Sequence, residues 1–341
     1  MTQPHVDLEV DSVDDLVVRA YEYAYDQGWT DGLPIVPATP GRVAQFVAAC
    51  GRAADELVGI IPPRKGRATI EAIAVNAIMA GCRAEYMPVV IAAVEGMLDP
   101  AFPLWHIQVT TNGITPFLLI NGPVRQRLDI NSGAGCLGPG WRANATIGRA
   151  IRLILTNIGG AFPGVYSKST FSSPLRYSYL CGENEEANPW SPFHVDRGFR
   201  REDSTVTVFR AANYCNISGG EGISPDEILR QIATNMPPLP GSGGGDGLLL
   251  LLGINHAQSL HRAGLSKRDI QQRIWELARL PATYYAKDFA AAEQQAGRGD
   301  ADCLWRARVP EEVYIVVAGG EGPQDLYIGA GAPQTRVIRE P

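Results

Sequence analysis

LLLLLGINHA, residues Leu248–Ala257, and VYIVVAGGEG, residues Val313–Gly322, decide the fold class. Each opens with consecutive apolar residues and stops at glycine. A strand with one wet face alternates apolar and polar side chains, so an unbroken apolar run requires both faces to be buried. PFLLIN, residues Pro116–Asn121, has the same character. Helical spacing fills the intervals, at Val13–Gln27, Pro88–Leu98, Arg142–Ile158 and around Gln258–Leu280. Strands alternating with helices predict an α/β protein, its sheet covered by helices on both faces, with mixed strand order and long ordered loops. Such folds gather functional groups where strands end, which brings His256 forward.

Other segments follow the same logic. Thr39-Pro40 reads as N-cap and first helical residue, and a helix after Pro-Pro-Arg-Lys-Gly ends near Gly81. HIQVTT (His106–Thr111) and STVTVFRAANYCNI (Ser204–Ile217) read as strands, and SPDEILRQIATNM as a well-capped helix. The stretch 159–199 is rich in turn formers, and a loop of that length is unusual unless it has a task. PPLPGSGGGDG (Pro237–Gly247) reads as a linker or lid. The best internal boundary falls at Ser224–Gly247. It separates an N-terminal α/β region, 1–223, from a C-terminal one, 224–341, as sub-domains of one continuous unit.

The 341 residues carry 30 basic and 36 acidic side chains, a net charge of −6, with neither sign in blocks. That balance argues against nucleic-acid binding. The N-terminus has neither the basic nor the apolar region of a secretory signal, and no apolar run is long enough to span a bilayer. Six scattered cysteines without a C-x-x-C fit reduced thiols. Together these features predict a soluble cytoplasmic protein.

Gly133, Gly135 and Gly138 form a G-x-G-x-x-G ahead of a helix. A dinucleotide fingerprint needs a buried strand before the first glycine and an acidic residue about 20 positions later. RLDINS is polar, and 153–167 holds no acid, so no nucleotide cofactor is expected. A glycine loop entering a helix remains a ready anion cradle. Gly135, Gly138, Gly140 and Asn144, with Arg142, Thr146 and Arg149 on one helix face, form the expected anion clamp. A solvated helix face is the plain alternative. Cys136, beside the helix start and the arginines, would be an activated thiol; a packed small hydrophobe is the commoner fate. Cys82 is the second candidate thiol.

CGENEEANPWSPFH (Cys181–His194) concentrates Glu183, Asn184, Glu185, Glu186, Trp190 and His194. Glu185 and Glu186 are candidates for acid/base work, with Asn184, Trp190 and His194 contacting substrate. The same oxygen ligands leave a divalent cation open, although no metal ligand set is assigned. His256, at a strand-to-helix turn, is the candidate base. His261 lies five residues on, which is not a metal-binding helical spacing.

DGLPIVPAT, PPRKGRATIEAIAVNAIMAGC, GPGWRANATIGRAIRL, ENEEANPW and NHAQSLHRAGLSKRDI together resemble a poorly characterised bacterial family spanning nearly the whole chain. The resemblance implies gene neighbours of the UGSC type, named for a selenocysteine/cysteine-Gly-Ser-Cys motif and similar to glycine-reductase substrate subunits. The chain lacks that motif, so a cysteine- or selenocysteine-bearing redox protein would be its partner. The expectation is an enzyme acting on a small anionic organic substrate by acid/base or thiol-assisted chemistry, in reductive or lyase-type cleavage. A scaffold or substrate-delivery subunit and a metal-dependent hydrolase or lyase are the alternatives, and a homo-oligomer is an open expectation.

Overall fold

The computed structural model describes residues 6–8, 12–220, 222–236 and 247–341. The expected linker, apart from Gly247, lies outside the described residues. Helices α1 (Val13–Asp26), α2 (Pro40–Ala48), α3 (Ile70–Met79), α4 (Met87–Met97) and α5 (Arg142–Asn157) belong to the first half. Helices α6 (Pro225–Asn235), α7 (Ile254–Arg262) and α8 (Lys267–Leu277) belong to the second. Ser12 caps α1 by accepting from Asp15 N–H, and Ser224 and Glu227 close a capping box on α6.

The sheet contains β1 (Thr115–Asn121), β2 (Leu180–Gly182), β3 (Thr205–Ser218), β4 (Leu248–Leu252), β5 (Val313–Val317) and β6 (Gln324–Val337). Its spatial order is β2-β1-β3-β6-β4-β5. The β1/β2 and β4/β5 pairs are parallel, and all other neighbours are antiparallel. The chain therefore runs twice through one connection, strand–helix–parallel strand–long antiparallel strand. The two long strands pair with each other, from Gln324 opposite Ser218 to Val337 opposite Thr205. The break at Ser224–Gly247 falls between these units, but this shared ladder ties them into one sheet.

Helices cover one face of the sheet in two groups. Leu118, Ile120, Leu180, Val206 and Val208 pack under α3, α4 and α5. Leu248, Leu250, Leu252, Val313, Ile315 and Val317 pack under α6, α7 and α8. The opposite face is covered by the sheet itself. Phe117, Cys181, Phe209, Leu249, Val316 and Ile328, one from each strand, fall in a single inner core. The unbroken apolar runs are thus buried on both faces, with a curled sheet supplying the second cover.

The ladder stays open between β2 and β5, yet curling brings these edges together. Asn184 N–H, just past β2, donates to Val317 O at 2.8 Å. Residues 131 and 132 bridge the gap beside it: Gly182 N–H donates to Asn131 O at 3.1 Å, and Gly319 N–H to Ser132 O at 2.9 Å. The seam is closed by backbone groups.

Three segments differ from expectation. HIQVTT lies largely in a helix, Leu104–Val109, because Leu104, Ile107 and Gln108 bury one helical face. Strand β2 sits inside the turn-rich stretch 159–199, and β6, a strand that no apolar run announces, follows Val313–Val317. Among the described residues no helix is long and apolar enough to cross a membrane.

Phe209 touches Phe117 of β1 and Tyr314 of β5, with ring centroids 6.0 and 5.7 Å apart. Phe209→Ala should cost about 3–5 kcal/mol. Because both units share this core, denaturant unfolding should remain one coincident transition by fluorescence and circular dichroism. Two separate transitions would show that the units melt independently.

Candidate functional site

The acidic loop begins at the end of β2, where Glu183 is fully buried. Its Oε2 accepts from Asn121 Nδ2 at 2.6 Å and Phe193 N–H at 2.7 Å, and its Oε1 from Asn188 Nδ2 at 2.8 Å. Burial pushes the Glu183 pKa up, opposed by Lys267 and these donors. Glu185 and Glu186 both meet Arg125, at 3.1 and 3.0 Å. Glu185 also accepts from Gly122 N–H at 2.7 Å. Arg125 holds the Glu186 carboxyl below its usual range. The two carboxylates expected to move protons are therefore engaged in an ionic network. With Asn131, Ser132 and Trp141, Arg125 and Glu186 line a cavity of about 180 Å³.

Trp190 donates from Nε1 to Leu265 O at 3.0 Å and sets its ring edge against His261. His194 is completely buried, with Nε2 3.4 Å from Arg201 O. Both are packed into the structure. Asn184 reaches Gly319 O with its amide at 3.5 Å and lies at the seam.

The glycine loop is pinned by Asn144. Its Oδ1 accepts from Asn131 N–H, and its Nδ2 donates to Asn131 O and Cys136 O, all within 3.0 Å. Gly135 and Gly140 adopt positive φ, and Gly138 N–H closes onto Gly135 O. Arg142, Thr146 and Arg149 share a face of α5 as the periodicity predicts, but each side chain hydrogen-bonds within the chain, Arg142 while still exposed. Arg149 forms a bidentate pair with Asp31, both contacts at 2.8 Å, and also donates to Leu33 O and Pro34 O. Arg142 donates to Gly81 O, and Thr146 to Arg142 O. The donors expected to grip an anion bind DGLPIV and the end of α3 instead.

The thiols separate. Cys82 is buried against Thr146 O, and burial pushes its pKa up to about 12. Burial of this kind works against formation of the nucleophilic thiolate. Cys136 is also buried, but the Cys181 thiol and backbone groups at Gly319, Cys136 and Leu137 hold its pKa down. Cys181, a neighbour only in space, is the partner the linear order conceals.

His256 stands in the first turn of α7, where β4 ends. Its Nδ1 lies 2.8 Å from Asp325 Oδ2, and Asp325 Oδ1 accepts from Gly253 N–H at 2.9 Å. Both side chains are buried, and His256 Nε2, itself shut off from solvent, makes no close hydrogen bond, the Gly220 backbone being near enough to act on the ring. The hydrogen bond to Asp325 raises the histidine pKa against the opposing effect of burial, with Gly220 backbone adding to the rise. Gly219 is required here: a Cβ would lie 2.3 Å from His256 Cε1 and 2.9 Å from Nε2. At Gly253 a Cβ would lie 2.2 Å from Gln324 O. Asp325 was not identifiable in advance, because it opens a strand that the apolar pattern does not reveal.

The three segments singled out in sequence meet one turn, residues 318–323, between β5 and β6. The glycine loop reaches it through Ser132 O on Gly319 and Ala134 against Gly320. The acidic loop reaches it through Asn184. The dyad adjoins its far end, where Gly219 N–H donates to Pro323 O at 2.7 Å. Among the described residues no group of three His, Cys, Asp or Glu side chains could hold a metal ion.

Glu183→Gln should destabilise the fold by about 1–3 kcal/mol, because an amide NH2 would face a donor that now finds an oxygen. Chemical denaturation measures this. For the dyad, a histidine pKa raised above its ordinary 6.5 stabilises the fold at lower pH; that contribution is lost as pH rises through the folded-state value. The melting midpoint should carry this alkaline decline in the native protein and lose it in Asp325→Asn.

No protein-family model matches the chain, and no curated protein matches it in sequence.

Proposed function

We propose that this protein is an enzyme acting on a small anionic organic molecule by acid/base chemistry, with His256 as proton carrier and Asp325 as its orienting partner. The observation that carries this reading is the buried dyad: Nδ1 is held at 2.8 Å by a carboxylate while Nε2 makes no close hydrogen bond. A buried polar atom normally finds a partner, so an orphaned imidazole nitrogen at a strand end is suited to meeting a substrate. Asp325 selects the tautomer protonated at Nδ1, leaving the Nε2 lone pair as the base, and favours the imidazolium after proton transfer.

Gly319 and Gly322, on the adjacent turn, have open space where a side chain would stand. A small molecule can therefore approach their backbone from this side, while the Gly319 N–H itself stays bonded to Ser132 O. Cys136 lies against this turn at Gly319, which supports thiol-assisted chemistry. Reductive or lyase-type cleavage with a cysteine- or selenocysteine-bearing partner is the form suggested by the family resemblance. Six free thiols support a cytoplasmic setting.

A second reading, a substrate-delivery subunit, is favoured by the ion pairing of Glu185 and Glu186 to Arg125. Turnover of a panel of small carboxylic and phosphorylated acids, followed by mass spectrometry, separates the two. The isolated protein should convert at least one, and His256→Gln should lose about 100-fold or more in rate while still folding. An unchanged rate would remove His256 from the chemistry. Absence of turnover, with co-purification of a thiol or selenol partner, would favour delivery.

A further inference from the structure

Three stretches of this acidic chain, 57–70, 100–128 and 130–182, contain no Asp or Glu. The fold brings parts of all three together where α5 ends. Arg64 N–H donates to Gly159 O at 2.9 Å, and the Arg64 side chain lies over Gly160. Gln108 Nε2, from the helix Leu104–Val109, donates to Leu155 O at 3.2 Å and to Pro62 O at 3.4 Å. Thr170 N–H donates to Thr111 O at 2.9 Å. The turn 62–67, the helix Leu104–Val109 and the loop 161–173 are therefore neighbours.

These neighbours present apolar side chains to water. Phe171 is 95% exposed, more than any other large apolar residue described, and Trp105 is 60% exposed. Val165 and Tyr166 are exposed as well. The loop that carries three of them is held by its own hydrogen bonds. Ser172 N–H donates to Ser169 Oγ at 3.1 Å, Gly164 N–H to Ser167 O at 3.0 Å, and Arg176 to Ser167 Oγ at 2.9 Å. Arg64, Lys65, Arg67 and Lys168 are exposed on the same segments, and none forms a salt bridge among the described residues. Lys168 donates only to a carbonyl, Gly164 O, at 2.8 Å.

Exposed aromatic side chains with unpaired cations beside them match the boundary of a lipid bilayer. Aromatic rings settle at headgroup depth, and Lys and Arg meet anionic headgroups. The lack of carboxylates in all three segments serves the same end, because the headgroups would repel them. A protein partner usually covers a contiguous apolar patch. Here the apolar side chains stand singly or in pairs between Gly, Ser and Thr, as in Gly164–Ser167 and Ser169–Ser172. We propose that this end of the fold docks on an anionic lipid surface, with Phe171, Trp105 and the Val165–Tyr166 tip entering the headgroup layer and Arg64, Lys65, Arg67 and Lys168 supplying the attraction. Such docking needs no helix that crosses the bilayer. The surface belongs to the first half of the chain and the His256–Asp325 dyad to the second, so either assignment can fail alone.

Co-sedimentation of the full chain with extruded vesicles is the test. The protein should pellet with vesicles of phosphatidylcholine mixed with phosphatidylglycerol and stay in solution with phosphatidylcholine alone. High salt should release it. Lys65→Gln should weaken partitioning about fivefold. Phe171→Ser should weaken it about tenfold or more. Both side chains are exposed, so the melting midpoint of each variant should stay at the native value. His256→Gln should pellet as the native protein does. Failure to pellet with the anionic vesicles overturns the proposal, and so does pelleting that Phe171→Ser leaves unchanged. A concentration-dependent dimer abolished by Phe171→Ser overturns it too, because a second copy would then cover the loop.

Discussion

Closure of the seam between β2 and β5 is the constraint on which the rest depends. A sheet that curls to bury its own inner face must bring its edges together, and exposed edge groups would otherwise remain unpaired. Asn184 N–H bonded to Val317 O joins the edges directly, and Asn131 and Ser132 bridge them alongside. The same contacts place the glycine loop, the acidic loop and the turn after β5 against one another. Asn144 then pins the loop from α5, so the first helical layer positions the junction as well.

Charge is distributed around this seam in two ways. Arg125 is buried but compensated by Glu185 and Glu186, and Glu183 is buried but surrounded by donors. These groups secure the start of the acidic loop. Arg152 and Arg176, along the same side of the fold, have only neutral acceptors. The dyad combines the two conditions, since Asp325 compensates one edge of His256 and the buried Nε2 on the other edge makes no close hydrogen bond.

The readable parts of the fold were those governed by local patterning. Leu248–Leu252 and Pro116–Asn121 declared strands buried on both faces, and Thr39 and Ser224 marked helix starts. Strand β6 was hidden because glycine, alanine and proline interrupt its alternation, and β2 because three residues carry no period. Leu104–Val109 was misread because its apolar residues fit either period over so short a run. In the site, His256 was legible from its place after an apolar strand. Asp325, Arg125 and Cys181 were not, being 69, 61 and 45 residues from His256, Glu186 and Cys136 respectively.

By itself the sequence determined which segments bury apolar surface and where they stop, because a side-chain period and a capping residue act within a turn or two of chain. It also determined that Arg142, Thr146 and Arg149 share one helical face. Only the tertiary structure decided what that face meets: Asp31 pairs with Arg149, whereas Arg142, at the end of α3, and Arg152, from the next turn, meet neutral acceptors. Whether a charged side chain is spent or free depends on partners brought together by folding, and such pairings leave no local pattern.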